Sequence, residues 1–194
     1  EISKDFRNEG MDRTHNPEFT ILEFYVAYKD YNWMMQFSEK LLEKVATDLY
    51  GTTVVEVDGK KLDFKAPFKR VTMYDAIKEN TGFDISGMEE NELREVCRKL
   101  DIHVDANFGK GKIIDAIFGE KCESCYVQPT FIIDYPVEMS PLTKKHRSTE
   151  GLVERFELMI NGKEIANAYT ELNDPLDQRE RFEEQLKLQE RGDD

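Results

Sequence analysis

Two short turn signals, Asp58-Gly59 and Asn161-Gly162, constrain the fold of this chain more than any other feature. Asp-Gly and Asn-Gly dipeptides readily adopt the positive backbone φ angles of a two-residue hairpin turn, so each predicts a pair of antiparallel strands. The first lies between TVVEV and KKLDF and should place Val55 opposite Leu62. The second joins residues 156–160 to the segment KEIANAYTE. The sequence therefore predicts a sheet with substantial antiparallel pairing.

Two further stretches carry strand signals. Residues 130–136 read TFIIDYP, and residues 19–28 read FTILEFYVAY. Both are rich in the β-branched and aromatic residues that suit a pleated surface. In the second stretch the alternate residues Leu22, Phe24 and Val26 are apolar, which predicts a strand that buries this face.

A long amphipathic helix should follow the second of these strands. Asp30 or Asn32 can cap its N-terminus, and Gly51 is placed to end it. A stripe of apolar residues at helical spacing should cover the sheet: Met34, Phe37, Leu41, Val45 and Leu49.

The middle of the chain changes character from strands to short helices. Thr72 can cap a helix over residues 73–80, and similar patterns occur at 88–100 and 112–118. We interpret residues 67–127 as a small helical insertion.

The chain closes with another helix, which Asp174 as cap and Pro175 at the first helical position predict. The fold class is therefore α+β, a mostly antiparallel sheet flanked by helices. We divide the chain into a first part of the core at 1–66, the insertion at 67–127, and a second part of the core at 128–194.

Composition narrows the possible partners. Forty acidic residues against 27 basic ones give a net charge of −13, so the overall field repels phosphate backbones and any nucleic-acid contact must be local. No apolar run approaches the ~18 residues of a membrane span, and we expect no membrane partner. Because the sequence begins at Glu1 without an initiator Met or a signal core, we expect it to start within a longer protein.

The cysteines and a glycine-lysine segment each permit two interpretations. Three cysteines fit a reducing cytoplasm, and Cys122 and Cys125 form a CxxC that is either half of a metal or redox site or two incidental thiols in a loop. No second pair with ligand spacing accompanies them. The GKGK at 109–112 lacks the glycine and the Ser or Thr of a phosphate-binding P-loop, which favours a turn before a helix.

A polar loop at residues 6–19, FRNEGMDRTHNPEF, precedes the strand at 19–28. Arginine offers a planar fork for phosphate or carboxylate, and Phe19 offers a face on which a base can stack. The alternative is a solvated hairpin loop beside an aromatic core residue. The polar residues that the loop concentrates are Arg7, Glu9, Arg13, His15 and Asn16.

The same loop resembles motif 2 of class II aminoacyl-tRNA synthetases, in the form RNEGMD followed by THNPEF. The strand and turn after it, with Glu23, Tyr25 and Tyr28 in the pattern ExYxAYxDY, are similar to the lysine-specific enzymes of bacterial type. IIDYPVEMSPLTK and FELMINGKEIANAYTELNDPLDQ resemble the same family, so the likeness spans nearly the whole chain.

The resemblance implies the fold of a class II synthetase sheet, here truncated at both ends, and a reaction with ATP. Such enzymes join lysine to ATP to form lysyl-adenylate and pyrophosphate, then pass the lysyl group to tRNA(Lys). Carried over by position, Arg7 would be the catalytic residue that neutralises the α-phosphate and the lysine carboxylate. Glu9, His15 and Asn16 would shape the ATP site, and Phe19 would stack on adenine.

Two further groups of ligands follow from the resemblance. Glu157 and Glu164 would hold Mg²⁺, since hard carboxylates suit a hard cation that also bridges phosphates. Lysine would be recognised, together with Arg7, by a set in which the last member faces the ε-ammonium: Glu23, Tyr25, Asn167, Tyr169 and Glu171.

The turn at Asn161-Gly162 tests this placement. With regular pairing, residue 159 lies opposite 164 and residue 157 opposite 166, so Glu157 and Glu164 share a face. Simple alternation then puts Asn167 and the residues after it on the other face. We therefore predict a β-bulge between Ile165 and Asn167 that resets the alternation.

The sequence departs from the family pattern in what it lacks. We find no dimer-forming motif 1, no motif 3 with its ATP-binding arginine and no anticodon-binding barrel, and expect this chain alone to adenylate lysine poorly. The parent should be a cytoplasmic homodimer. A paralogue that transfers lysine to a protein and a non-catalytic module that keeps the fold remain alternatives.

Overall fold

The structure is a computed structural model that describes residues 1–8, 10–11, 15–190 and 192. Its strands and helices follow the predicted order closely. The strands are β1 (Ile2–Phe6), β2 (Glu18–Leu22), β3 (Val54–Val57), β4 (Lys60–Asp63), β5 (Lys69–Thr72), β6 (Thr130–Pro136), β7 (Leu152–Ile160) and β8 (Lys163–Tyr169). The helices are α1 (Tyr31–Tyr50), α2 (Met73–Thr81), α3 (Glu90–Lys99), α4 (Lys110–Lys121) and α5 (Pro175–Glu190), with short 3-10 helices at Glu123–Cys125 and Val137–Met139.

The main sheet has the order β5-β6-β7-β8, in which β5 runs parallel to β6 and the other neighbours are antiparallel. Within the described residues, β1 pairs with β2 and β3 pairs with β4 in separate hairpins. The predicted α+β fold, a mostly antiparallel sheet with flanking helices, is confirmed.

Both predicted hairpin turns are present. Asp58 and Asn161 have φ angles of 51° and 54°, and the glycine after each is also positive. Val55 lies opposite Leu62, as the first turn requires. At the second turn, the backbone N–H of Asn161 donates to the Val127 carbonyl at 2.9 Å and that of Gly162 to the Tyr126 carbonyl at 3.0 Å. The tip of the β7–β8 hairpin is therefore anchored to the loop that precedes β6.

Two apolar cores lie on opposite faces of the main sheet. Side chains of α2, α3 and α4 pack around Ile132 and Met159 on one face. On the other face, Tyr31 and Met35 of α1 pack with Phe131, Phe156 and Leu158. The sheet is thus covered by helices on both sides, and its last two strands carry polar residues next to the first core.

The buried face of α1 differs from the predicted stripe. Asp30 caps the helix by accepting the Trp33 N–H at 3.0 Å, and Gly51 ends it in the left-handed conformation, as expected. Phe37, Val45 and Leu49 are nonetheless exposed, and the residues that turn inward are Tyr31, Met35, Glu39 and Ala46. The stripe was right for Met34, which packs against this core, and wrong for the three exposed residues. The inward face instead includes an acid, Glu39, whose burial depends on Arg70 in a later strand.

The predicted burial along residues 19–28 is also wrong. The strand ends at Leu22, and Leu22 and Phe24 are exposed while Phe19 and Ile21 are half-buried. The physical reason is that β2 pairs with β1 in a two-stranded ribbon, outside the main sheet. Such a ribbon has no second layer against which to bury the expected face.

The middle of the chain forms the predicted helices. Thr72 caps α2 by accepting the Asp75 N–H at 3.1 Å. Gly109 is the N-cap of α4 and residues 110–112 are its first residues, so the GKGK segment begins the helix and does not form a turn before it. β5, inside the range 67–127, joins the main sheet, and the three domain boundaries remain predictions.

The thiols are separated by their environments. Cys97 and Cys122 are buried and Cys125 is exposed, all three unbridged. In the part of the chain that the structure describes, no three His, Cys, Asp or Glu side chains cluster as metal ligands. None of the described helices has the length and apolar character needed to cross a membrane.

Candidate active site

A β-bulge in β8 brings the predicted metal ligands, Glu157 and Glu164, and two of the predicted lysine ligands, Asn167 and Tyr169, to one face of the sheet. Met159 pairs with Glu164, whereas the next pair is Leu158 with Ala166, so Ile165 is the extra residue. Glu157 consequently lies opposite Asn167, and not opposite residue 166 as regular pairing predicted. The bulge lies at the N-terminal end of the predicted interval, and it resets the alternation as expected.

Arg155 links the residues on this face. Its guanidinium contacts the Glu157 carboxylate, and its Nε donates to Asn167 Oδ1 at 3.2 Å. Its Nη1 donates to the Met139 carbonyl at 3.1 Å and to Ser140 Oγ at 2.9 Å. The result is a set of side chains with little freedom to rotate.

Glu157 and Glu164 form a close acidic pair. Burial, followed by the negative charge of Glu164, raises the pKa of Glu157 to about 7, and Arg155 opposes the rise. The Glu157 side chain is only 15% exposed, which explains why burial is the larger cause. A divalent cation between the two carboxylates would relieve their repulsion.

The donor set fits Mg²⁺ shared with a substrate. Mg²⁺ in proteins commonly takes one or two carboxylates and completes its octahedron with water and phosphate oxygens. Glu157 and Glu164 supply such a pair, and among the described residues no larger ligand cluster is available to enclose an ion. This chemistry favours a cation that arrives with a phosphate group.

The predicted lysine ligands form a second acidic group beside the first. The Tyr25 hydroxyl donates to Glu23 Oε1 at 2.9 Å, and this hydrogen bond is the first cause of a raised Tyr25 pKa, to which Glu171 and Tyr169 also contribute. Burial and then Glu171 raise the pKa of Tyr169, with a contribution from Glu23. Two segments far apart in sequence therefore meet around two carboxylates.

Glu171 is held at the end of β8 by backbone pairing with Thr143. Burial raises the pKa of its carboxyl although part of the side chain stays exposed. A carboxylate in a partly desolvated position gains from an ammonium partner. The arrangement is therefore suited to a cationic side chain.

The polar loop at 6–19 contributes residues near the tip of the β1–β2 ribbon. The guanidinium of Arg7 lies 5.3 Å from the centre of the Phe19 ring, and its Nε is 3.9 Å from Asp5 Oδ2. This arrangement places the predicted phosphate ligand over the ring predicted to stack on adenine. Arg7 and Phe19 are therefore brought together, but the arginine lies over the ring on which adenine is predicted to stack.

The remaining loop residues divide into three cases. His15 lies near Glu123, whose pKa is raised first by burial and then by Asp115 and Glu164, and lowered by His15. Asn16 is exposed. Glu9 lies outside the described residues, so its predicted role is not placed.

Sequence reasoning missed Arg155, Tyr135, Asp115 and Glu123. The centre of the Tyr135 ring lies 4.5 Å from the Arg155 guanidinium, and its buried hydroxyl makes no hydrogen bond of good geometry. Asp115 and Glu123 add negative charge from the helical region. The alternation of Arg155 with Glu157 was a usable signal, because residues two apart on a strand share a face.

The comparisons identify the family to which this geometry belongs. A family model described as class II tRNA synthetases (D, K and N) matches residues 1–194. The chain therefore belongs to the class II tRNA synthetases.

Curated relatives are similar over the whole chain. It is 70% identical to a lysine–tRNA ligase of Porphyromonas gingivalis, 68% to one of Christiangramia forsetii and 60% to one of Azobacteroides pseudotrichonymphae. These alignments cover 100% of this chain and 34%, 34% and 39% of the relatives, respectively. The chain thus spans between one third and two fifths of the length of these proteins.

Proposed function

We propose that this chain supplies most of the adenylation site of a lysine–tRNA ligase. The full-length protein would join lysine to ATP, release pyrophosphate, and transfer the lysyl group from lysyl-adenylate to tRNA(Lys). One observation carries the proposal: because of the bulge at Ile165, Glu157, Glu164, Asn167 and Tyr169 lie on a single face of the sheet. Adenylation requires the amino acid and the phosphate chain to meet in such a site.

Selection of lysine is assigned to the acidic group around Glu23 and Glu171. The ε-ammonium would pair with Glu171, while Tyr25 and Tyr169 flank its aliphatic chain. A neutral amino acid would leave a partly desolvated carboxylate without a partner, which disfavours its binding. Asn167 would bind the other end of lysine, next to Glu157.

Arg7 is assigned to the reacting groups, where it would neutralise the α-phosphate and the lysine carboxylate. It lies over Phe19 in this structure, and adenine stacking on Phe19 would compete for that contact. His15 and Asn16, with Glu9, would complete the ATP side. The reaction then depends on positioning and charge neutralisation rather than on a nucleophilic side chain.

Glu157 and Glu164 would hold Mg²⁺. When bound, the cation supplies charge neutralisation along the phosphates. Arg155 contacts Glu157 and offsets part of the negative charge of the pair. The role of these residues is to hold a cation and a phosphate in fixed relation to Asn167.

The wider assignments follow from the same proposal. The full-length protein would be a cytoplasmic homodimer that binds lysine, ATP and tRNA(Lys). The 194-residue chain alone would adenylate lysine poorly.

The test is lysine-dependent exchange between ATP and pyrophosphate by the full-length protein. We expect exchange with lysine and none with neutral amino acids, and Glu171→Gln should raise the KM for lysine roughly 100-fold, since it removes a charge-assisted pair of about 3 kcal/mol. Glu150→Gln, at an exposed position in the loop before β7, is the matched control. Exchange supported by a different amino acid would refute the lysine assignment.

A further inference from the structure

Arg155 is unusual among the arginines described because its side chain touches four different elements of the site. It hydrogen-bonds to a neighbour on its own strand, to Asn167 on β8, and to the Met139–Ser140 segment, and it stacks on Tyr135 of β6. Its side chain is 16% exposed. A guanidinium with this many fixed partners has one orientation.

The contact with Asn167 determines how that amide is turned. A guanidinium only donates hydrogen bonds, so Asn167 must present its carbonyl oxygen, Oδ1, to Arg155 Nε. The amide nitrogen then points away from Arg155, and its two N–H groups remain available to an acceptor. Asn167 is exposed, so an approaching ligand can reach them.

We propose that Arg155 is a positioning residue for the amino-acid substrate, acting through Asn167. By accepting from Arg155, Asn167 keeps its N–H groups directed at an oxygen of the substrate carboxylate. This inference rests on the proposed function and deepens it. Arg155 itself does not touch the reacting atoms.

The surroundings of Arg155 explain why a lysine residue at position 155 could not do the same. The planar fork reaches Glu157, Asn167 and Ser140 at the same time, and its face lies on the Tyr135 ring. A lysine side chain would keep the positive charge beside Glu157 but has one flexible ammonium. It would therefore release Asn167 to rotate.

The experiment measures lysine-dependent ATP–pyrophosphate exchange by the full-length protein carrying Arg155→Lys. We expect the KM for lysine to rise about tenfold or more while the KM for ATP changes less than twofold. Arg94→Lys is the control, because Arg94 is also 16% exposed and donates to backbone carbonyls, but lies in the helical region. An unchanged KM for lysine, or equal increases for lysine and ATP, would overturn the proposal.

A double-mutant cycle shows whether Arg155 acts through Asn167. In an Asn167→Ala background, Arg155→Lys should change the KM for lysine less than twofold, since the orientation it controls is gone. Fully additive effects would overturn the proposal. Absence of exchange in the unmodified protein would instead refute the proposed function, so the two failures are distinguishable.

Discussion

Glu157 lies directly opposite Asn167 across the β7–β8 ladder, whereas regular pairing from the Asn161-Gly162 turn would have placed residue 166 there. The difference is a single extra residue, Ile165. Because of it, a proposed metal ligand and a proposed lysine ligand are cross-strand neighbours.

Changes in chain length between Glu164 and Asn167 should have opposite consequences. Deleting Ile165 leaves the pairs Met159–Glu164 and Leu158–Ala166 in place, so both ligands stay on one face. Inserting an alanine after Ala166 should move Asn167 to the other face. In the full-length protein we expect the deletion to retain measurable lysine-dependent exchange and the insertion to abolish it. Equal loss in both, with unchanged circular dichroism, would contradict this.

Glu157→Gln should remove a pH dependence of stability. The Glu157 pKa is about 7 in the folded chain against 4.5 for an ordinary glutamate, so the folded state holds the proton more tightly. Stability is therefore lost as pH rises from about 4.5 to 7, on the order of 3 kcal/mol for a shift of this kind. Urea unfolding of the 194-residue chain at pH 5 and pH 8, without divalent cations, measures it.

At pH 8 the Glu157→Gln variant should be more stable than the unmodified chain. Its free energy of unfolding should differ much less between pH 5 and pH 8 than that of the unmodified chain. Glu150→Gln, at an exposed position, should leave both values unchanged. The same pH dependence in all three proteins would show that Glu157 is not the group responsible.

Glu39 should be among the costliest acids to truncate. It is 4% exposed, and its carboxylate accepts the Phe68 N–H at 3.0 Å and pairs with Arg70 at 3.1 Å. Glu39→Ala leaves a buried N–H and a guanidinium without their acceptor, at a cost of roughly 3–5 kcal/mol. Urea unfolding should show this loss, whereas Asp48→Ala, which breaks an exposed pair with Lys44, should cost about 0.5 kcal/mol or less. Similar losses in both would contradict the argument.

The three thiols should differ in reactivity. Burial raises the pKa of Cys122 to about 12, and Cys97 is also buried, whereas Cys125 is exposed. Because the thiolate is the nucleophile, iodoacetamide at pH 8 should label Cys125 alone in the folded chain and all three in urea. Mass spectrometry reads the result, with Cys125→Ser as the unlabelled control. Labelling of Cys122 at a comparable rate would overturn it.

Local chemistry made much of the fold predictable. The hairpin turns and the caps at Asp30 and Thr72 depend on residues within a few positions, and all were found where expected. The buried face of α1 was not predictable in this way. It includes Glu39, whose partner Arg70 lies 31 positions further along the chain.

The same difference between local and long-range contacts applies to the candidate site. Its ligands were predicted from the resemblance to the family. The alternation of side chains along β8 then required a bulge, because regular pairing would have put Asn167 on the other face. Arg155 was missed because its partners at Met139, Ser140 and Asn167 become neighbours only in the folded sheet. The position of Arg7 over Phe19 likewise could not be predicted from the sequence.

The anchoring of the β7–β8 hairpin at both ends opposes slippage of one strand along the other. At the turn, Asn161 and Gly162 bond to the backbone of Val127 and Tyr126, and beyond β8 the Thr170 carbonyl accepts the Lys144 N–H at 2.9 Å. A bulge in a free hairpin can migrate by shifting hydrogen bonds one residue at a time. Here such a shift would break bonds at a fixed end, so the irregularity at Ile165 is held in one place and the chain keeps a single register.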